Sequence, residues 1–336
     1  MVCDTRRGLA REMTRVVKRS FLQRVAVVLL ALVSVGVCLA DSEATVRQML
    51  KVSGLKIGYD RKEKRIVAVG VAQRQVSSPA TNPDFDKVRN ELSKIAVLNA
   101  KKEVMFNLSL SASGKDLSAS TTINDESARL TVSIMKLFST MDLRGCEVLC
   151  SAESWDRPEN LFQVTVAVGW SVKAADVANK VMSDSEKLDV LRLDDDEEWE
   201  TWCEKNDLST MVGCRQFMDS HGHKRYVGIG AANIEGVTGI KLKFAMRKAG
   251  LTALENLVFS LYSDNIAKDT ATRYLYELET RGGSSDVSWS KFTTEVISKC
   301  KMKIMAHEVY SETKQYPITG GKMYISVYGV AIKKTE

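Results

Sequence analysis

The chain has 336 residues, 27% of them charged, and a formal net charge of +6. Seven basic and two acidic residues lie in positions 1–40, so this segment accounts for +5 and the remainder is close to neutral. A near-neutral remainder lacks the broad basic surface of nucleic-acid-binding proteins, and we expect no nucleic-acid partner.

The N-terminal segment has the layout of a secretory signal peptide. Its basic residues precede an apolar run from Val25 to Leu39, and the small residue Ala40 follows. The run is about 15 residues long, which is shorter than the roughly 20 residues of a membrane-spanning helix. We therefore predict a signal peptide at 1–40, cleavage after Ala40, and export to the periplasm or the surrounding medium.

Other interpretations of this end stay open. Cleavage after Ala44 is an alternative, Met13 is a second candidate for the start, and Cys38 is a candidate for lipidation. An uncleaved N-terminal membrane anchor is the runner-up to cleavage. No later segment is apolar enough to cross a bilayer, so we predict no membrane span once the signal is removed.

The rest of the sequence is a tandem duplication. Residues 57–73 align without a gap with residues 217–233, and residues 164–173 align with residues 324–333, at an offset of 160 in both cases. Internal periodicity of this kind indicates repeated structural units. The predicted boundaries are a first repeat at 41–180, a linker with a run of acidic residues at 181–200, and a second repeat at 201–336.

The predicted elements follow the same order in both repeats: a short helix, two strands, a long helix, a second helix and a closing hairpin. In the first repeat they are expected at 43–53, 55–59, 65–75, 85–109, 123–141 and 161–173. In the second repeat the helices and the first two strands are expected at 195–208, 214–219, 224–233, 240–262 and 286–297, with a further strand at 274–279.

Residue spacing supports these assignments. The long helices carry small or apolar residues four apart, which marks one face of an amphipathic helix: Leu92, Ala96, Ala100, Val104 and Leu108, and Ala245, Ala249, Ala253, Leu257 and Leu261. The closing strand alternates apolar and polar residues, as half-buried antiparallel strands do. The pattern predicts an α+β fold, with two tandem copies of an antiparallel sheet and helices packed on one face.

A glycine-bearing strand precedes the alanine-spaced helix in both repeats, at residues 66–72 (IVAVGVA) and 226–232 (YVGIGAA). This arrangement resembles the lipoprotein-20-type modules of bacterial envelopes and related uncharacterised exported proteins, here present as a tandem duplication. The resemblance covers most of both repeats and implies an envelope-associated, non-enzymatic module. That family usually has a lipidated cysteine near its start, whereas here Val37 precedes Cys38 in place of a small residue.

Two groups of residues are candidates for a site. His221 and His223 stand in a predicted turn and are weak candidates for a metal site, although a polar turn is the favoured interpretation. Cys203 and Cys214 flank a short polar stretch and are candidates for a disulfide in an oxidising compartment. Cys146 and Cys300 fall at roughly matching positions of the two repeats and are expected in the core.

The chain contains no signature of a hydrolase, a zinc protease or a nucleotide-binding protein. We predict no catalytic residue and no cofactor. The expected function is an exported envelope-associated binding or assembly module that uses a sheet face, an edge strand or the domain groove. Its expected partner is an envelope protein or surface component. The alternatives are a metal-handling protein that uses the His221/His223 turn, and an enzyme whose site has no signature.

Overall fold

The structure is a computed structural model. Residues 41–336 form one compact unit, and the predicted signal peptide, with Cys38, lies outside the described residues. The described residues are 41–60, 62–113, 126–141, 143, 145–172, 174–175, 190–191, 197–221, 223–236, 238–281, 288–300 and 306–332.

Apart from residues 274–279, the elements of each repeat follow in the predicted order. The first repeat contains α1 (Ser42–Val52), β1 (Gly58–Asp60), β2 (Arg65–Gln75), α2 (Phe85–Ser113), α3 (Glu126–Thr140), β3 (Glu147–Asp156) and β4 (Leu161–Ser171). The remaining elements are β5 (Val190–Leu191), α4 (Glu197–Glu204), a single 3-10 turn (Leu208–Thr210), β6 (Gly213–Met218), β7 (Lys224–Asn233), α5 (Gly239–Arg281), α6 (Trp289–Lys299), β8 (His307–Gln315) and β9 (Lys322–Ile332).

Each repeat forms an antiparallel sheet with the same strand order. The first sheet runs β1-β2-β4-β3 and the second runs β6-β7-β9-β8, with the short β5 paired to the end of β9. Ile66 pairs with Trp170, and Tyr226 pairs with Val330, so the central register is also repeated at the offset of the sequence alignment. The predicted α+β fold with two antiparallel sheets is confirmed.

The edge strands β3 and β8 each contain an irregularity at the same place. The register shifts between Val148 and Cys150 in the first sheet and between Glu308 and Tyr310 in the second. A β-bulge of this kind inserts one extra residue opposite a single partner residue. The repeated bulge shows that the two sheets share local detail as well as strand order.

The long helices approach their sheets closely at glycine residues, at Gly70 in the first repeat and at Gly228 and Gly230 in the second. A Cβ atom at Gly70 would lie 2.2 Å from the carbonyl oxygen of Ala96 in α2, and a Cβ atom at Gly230 would lie 2.1 Å from that of Ala249 in α5. These distances leave no room for a side chain. The predicted row of alanines lies at this contact, because small residues on both sides allow the backbones to approach.

The short helices cover the opposite faces of the two sheets. Val46 and Leu50 of α1 pack against Val67 and Ala167, whose side chains point away from α2 because successive strand residues alternate in direction. In the second repeat, Trp199 of α4 packs against Gly329 of β9. Each sheet is therefore enclosed by a long helix on one face and a short helix on the other.

The structure corrects one predicted element. The sequence predicts a strand at residues 274–279. They instead continue α5, which runs from Gly239 to Arg281. Ala267, Ala271 and Tyr274 are buried in one row along this helix, and Tyr274 lies against Phe292 of α6. Packing between the two helices therefore decides the local structure.

Candidate binding edge and the contacts between the repeats

The outer edge of β2 is open over most of its length. β1 pairs only with Arg65 to Val67, whereas β2 continues to Gln75 and pairs with β4 over that whole length. Within the described ranges, no strand pairs with residues 68–75 on the outer side. An open strand edge of this length presents a row of backbone donors and acceptors to an incoming strand.

The hydrogen bonds around β2 show which residues face outward. The N–H group of Val76 donates to the carbonyl of Asn160 at 2.7 Å, on the side of β4. The carbonyl of Val71 instead accepts from the side-chain amide of Asn99 at 2.7 Å. Because the backbone groups of alternate residues in an antiparallel strand point to the same side, the outward-facing residues of the open edge are Val69, Val71, Gln73 and Gln75.

The open edge lies in a groove with a helix on each side. α1 contributes Glu43 and Arg47, and α2 contributes Asn99, Lys102 and Asn107. The groove has a volume of about 310 Å³, and Val69 and Val71 contribute to its lining. Its walls carry charges of both signs, and its floor is the strand edge. This geometry suits an extended chain whose backbone bonds to β2 and whose side chains meet the two helices.

Asn99 is a functional candidate that the sequence analysis missed. Its amide donates to Val71, and its carbonyl accepts from the indole N–H of Trp289 at 2.7 Å. The second repeat has a similar contact one helical turn further along the long helix, where Asn256 donates to the carbonyl of Ile229 at 2.8 Å. An asparagine inside a long helix is a weak helix former, and that is the signal that marks both positions in the sequence.

The corresponding edge in the second repeat is more completely covered. β6 pairs with β7 from Lys224 to Ile229. Further along, the N–H group of Asn233 donates to the Asp86 carboxylate at 3.3 Å, and Lys248 forms an ion pair with the same carboxylate at 2.8 Å. The first repeat therefore blocks the end of the β7 edge, and the longer open edge belongs to β2.

A buried ionic network joins the two repeats. The Arg89 guanidinium donates to Glu153 at 2.7 Å and to the carbonyl of Ser209 at 2.6 Å. The hydroxyl of Tyr316 donates to the other oxygen of Glu153 at 2.7 Å. Burial alone would lower the pKa of Arg89, but the Glu153 carboxylate raises it. Burial and the same carboxylate raise the pKa of Tyr316 well above its usual value. Both groups keep their ordinary protonation state at neutral pH.

Two further cations of α2 are buried against α5. Lys94 lies 3.4 Å from Glu255, and Lys101 lies 2.5 Å from Asp264. Burial lowers the pKa of Lys94, with Glu255 opposing the shift. For Lys101 burial also acts downward, but Asp264 leaves the pKa raised. Carboxylates of the second repeat thus hold two cations of the first repeat in place.

The predicted histidine turn is organised by an acidic residue. The Asp219 carboxylate accepts the N–H groups of His221 and His223 at 2.9 and 2.8 Å. It also forms an ion pair with the buried Arg225 at 2.8 Å. Over the described part of the chain, no group of three His, Cys, Asp or Glu side chains is arranged to hold a metal ion.

The predicted disulfide between Cys203 and Cys214 is not formed, because both residues are free and buried. Cys214 pairs with Gly228, which faces α5. Cys203 lies one turn after Trp199 in α4, on the opposite face of the sheet. The sheet therefore separates the two thiols. Burial raises the pKa of Cys203 to about 12 and also raises that of Cys214. The expected burial of Cys146 and Cys300 is confirmed.

A second cavity, of about 560 Å³, lies near the end of the first sheet. Lys64, Arg65, Glu147 and Trp170 contribute to its wall. The hydroxyl of Ser171 is occupied, since it accepts the N–H group of Ala174 at 3.1 Å. The described residues of this wall include no histidine or cysteine. They therefore do not pair a Ser or Cys nucleophile with a histidine base.

Neither a protein-family model nor a curated protein matches the sequence. Among solved structures, the crystal structure of a hypothetical protein from Francisella tularensis is similar in fold. The TM-score is 0.52 at 15% sequence identity, and the match covers 86% of this chain and 89% of that chain. At this level of identity the likeness concerns the fold alone. Within the described ranges, none of the helices combines the length and apolar composition that a bilayer crossing requires.

Proposed function

We propose that the protein is an exported module of the bacterial envelope, of the lipoprotein-20-like kind, which binds an extended segment of another envelope protein along β2. The observation that carries this proposal is the row of outward-facing backbone groups from Val69 to Gln75. A bound segment would add a strand to the first sheet, and its main-chain hydrogen bonds would supply much of the affinity.

The walls of the groove support a peptide over a compact ligand. The groove follows the strand, and α1 and α2 provide polar side chains on both sides of it. Alternate side chains of an added strand would point toward these two walls. Asn99 holds the carbonyl of Val71, so an incoming strand would compete with this amide or bond beside it. Asn99 therefore limits how far along β2 the segment extends.

The binding test removes outward donors from β2. In the variant Val69→Pro/Val71→Pro both outward N–H groups are lost, while the inward bonds to β4 are kept. Short peptides selected from a random display library on residues 41–336 should bind this variant roughly tenfold or more weakly. The reason is that each lost hydrogen bond contributes about 0.5–1.5 kcal/mol. Isothermal titration calorimetry measures the affinities.

The matched control is Val69→Ala/Val71→Ala, which trims the same side chains and keeps both N–H groups. It should retain peptide binding within a few fold. Hydrogen exchange adds a second measurement, because the amides of Val69 and Val71 should become protected when peptide binds. Selected peptides that bind the proline variant as well as the unchanged protein, or that protect another segment, would rule out this site.

Export is the second component of the proposal and rests on the charge and apolar pattern of positions 1–40. The first residues of α1 support cleavage after Ala40 over cleavage after Ala44. Asp41 caps α1 by accepting the N–H group of Glu43 at 3.0 Å, and the Ser42 hydroxyl lies 2.7 Å from that of Thr165. Cleavage after Ala44 would remove both contacts.

Mass spectrometry of the mature protein should therefore identify Asp41 as its first residue. A mature chain that retains Val25 to Leu39 would instead establish the uncleaved anchor. A lipid on Cys38 would establish the lipoprotein form.

A further inference from the structure

The beginning of α5 presents an apolar stripe to solvent. Ile240, Phe244 and Leu251 are 69%, 68% and 56% exposed. Their spacing of four and seven residues places the three side chains on one face of the helix. Exposed apolar patches with a polar rim mark interaction sites on protein surfaces.

Basic residues lie on both sides of this stripe. At about 100° per residue, Lys248 and Lys241 are rotated about 40° and 60° from Phe244 in one direction, and Arg247 and Lys243 about 60° and 100° in the other. No Asp or Glu occurs from Gly236 to Leu254. Lys248 has an ion pair with Asp86, and for the other three cations the described residues provide none.

Two alanines hold one side of the same segment against the sheet. Ala245 and Ala249 are buried, and Ala249 contacts Gly230 of β7. The stripe is thus displayed on a helix whose backbone is fixed against a sheet. The three equivalent positions of the first repeat are Lys87, Glu91 and the buried Leu98, so the stripe belongs to the second repeat alone.

We propose that the first turns of α5 dock on the surface of an anionic phospholipid bilayer, with the helix axis parallel to the membrane plane. The apolar side chains would enter the boundary between headgroups and acyl chains, and the flanking lysine and arginine side chains would reach the lipid phosphates. The cations on both sides of the stripe, and the absence of Asp and Glu from residues 236–254, complement a negatively charged surface. This inference is independent of peptide binding at β2, which lies in the first repeat.

The test uses residues 41–336, because they form one compact unit and because the apolar run before Ala40 would bind lipid by itself. Sedimentation with vesicles of phosphatidylglycerol and phosphatidylcholine should recover the protein, and vesicles of phosphatidylcholine alone should not. Raising the salt concentration should release it. The variant Lys241→Gln/Lys243→Gln/Arg247→Gln should lose roughly fivefold in affinity for each charge removed.

The variant Ile240→Ser/Phe244→Ser/Leu251→Ser should lose about tenfold or more, because lipid contact requires the apolar stripe. Two matched controls should keep binding. Leu130→Ser/Tyr276→Ser changes side chains that are 54% and 66% exposed elsewhere, and Lys51→Gln/Lys62→Gln/Lys136→Gln removes three exposed cations elsewhere.

Three results would overturn the proposal. They are the absence of binding to anionic vesicles, equal binding to neutral and anionic vesicles, and equal binding by the serine variant. Sedimentation equilibrium without lipid tests whether the stripe instead forms a dimer contact. A dimer that the serine variant dissociates would assign the stripe to contact between two copies of the chain.

Discussion

The long helices α2 and α5 occupy the same position in the two repeats. The faces that they turn away from their sheets differ in residue type and in burial. Toward the sheet both are lined with alanine and meet a strand glycine. Away from the sheet, α2 buries Lys94 and Lys101 together with Leu98. Toward its N-terminus, α5 exposes Ile240, Phe244 and Leu251 instead. The outer face of α2 is covered by the second repeat and carries buried charges. The first turns of α5 are exposed and carry apolar residues.

The difference shows which face of a repeated helix is constrained by the fold. The inner face must fit the glycine strand, so it is retained in both repeats. The residues on the outer face depend on the surface that packs against them. For α2 the cover is the second repeat, whose carboxylates Glu255 and Asp264 pair with its lysines. For the first turns of α5 we propose a lipid surface.

The largest expected effect comes from breaking the buried charge network beside α2. The variant Glu153→Gln leaves the Arg89 guanidinium buried without an anionic partner. The free energy of unfolding should fall by about 3–5 kcal/mol, the usual cost of breaking a buried ion pair. Urea denaturation measures the loss. In the control Glu91→Gln, whose partner Arg74 is exposed, the loss should stay below about 1 kcal/mol. Equal losses in the two variants would show that Arg89 is hydrated.

The second prediction compares one position in the two helices. Leu98 and Leu251 are equivalent, but Leu98 is fully buried and Leu251 is 56% exposed. Leu98→Ala should lower the free energy of unfolding by about 2–5 kcal/mol, because it leaves a cavity in the core. Leu251→Ala should change it by no more than about 0.5 kcal/mol. Thermal and urea unfolding of both variants test this, and a large loss for Leu251→Ala would mean that the stripe is packed.

The third prediction concerns the face that the two helices share. Gly70→Ala and Gly230→Ala should each destabilise the protein by about 1–3 kcal/mol or more, because the new Cβ atom would meet helix backbone. Similar losses in both variants are expected. Gly239→Ala is the control, since no heavy atom lies within 4 Å of its added Cβ. A neutral Gly70→Ala would mean that α2 sits further from its sheet than α5 does.

The smallest expected effect concerns a contact present in one repeat alone. Burial alone would raise the pKa of Asp219, but hydrogen bonds from Arg225 and from the His223 backbone lower it. The equivalent residue of the first repeat is Tyr59. The stabilisation is complete above the unfolded pKa of about 3.9 and is lost as the pH falls through the lower folded pKa. Asp219→Asn should therefore reduce the pH dependence of the urea midpoint below about pH 4. An unchanged pH profile would contradict the assignment.

The sequence pattern predicts the fold of each repeat because the relevant information is local. Alternation identifies β4, and alanines four apart identify the inner faces of α2 and α5. The strand expected at 274–279 is wrong, because contact with α6 makes that segment helical. The buried state of Lys94 and Lys101 depends on partners more than 150 residues away, and no local pattern contains that information.

The sequence predicted the type of the candidate site but not its location. An edge strand was among the predicted binding surfaces, but the length of open edge depends on how far β1 pairs. That strand was expected at 55–59 and begins at Gly58. Pairing length is set by the tertiary fold, so the sequence did not locate Val69 and Val71. The disulfide prediction for Cys203 and Cys214 failed for a related reason, since proximity along the chain does not reveal a sheet between two residues.

The matching bulges in β3 and β8 indicate the order of two changes during evolution, the formation of the bulge and the duplication. An extra residue at the same register of both sheets is most simply inherited from one ancestral unit, so it precedes the duplication. The offset is 160 for β2 and β7, 153 for the long helices and 160 again for β3 and β8. An opposite difference of seven residues therefore lies before β3, and the connection after β2 carries a change of seven residues. That change affects one repeat and therefore follows the duplication. A single-copy descendant of the ancestral unit should share the bulge, and the length of its connection would reveal whether residues were gained in the first repeat or lost from the second.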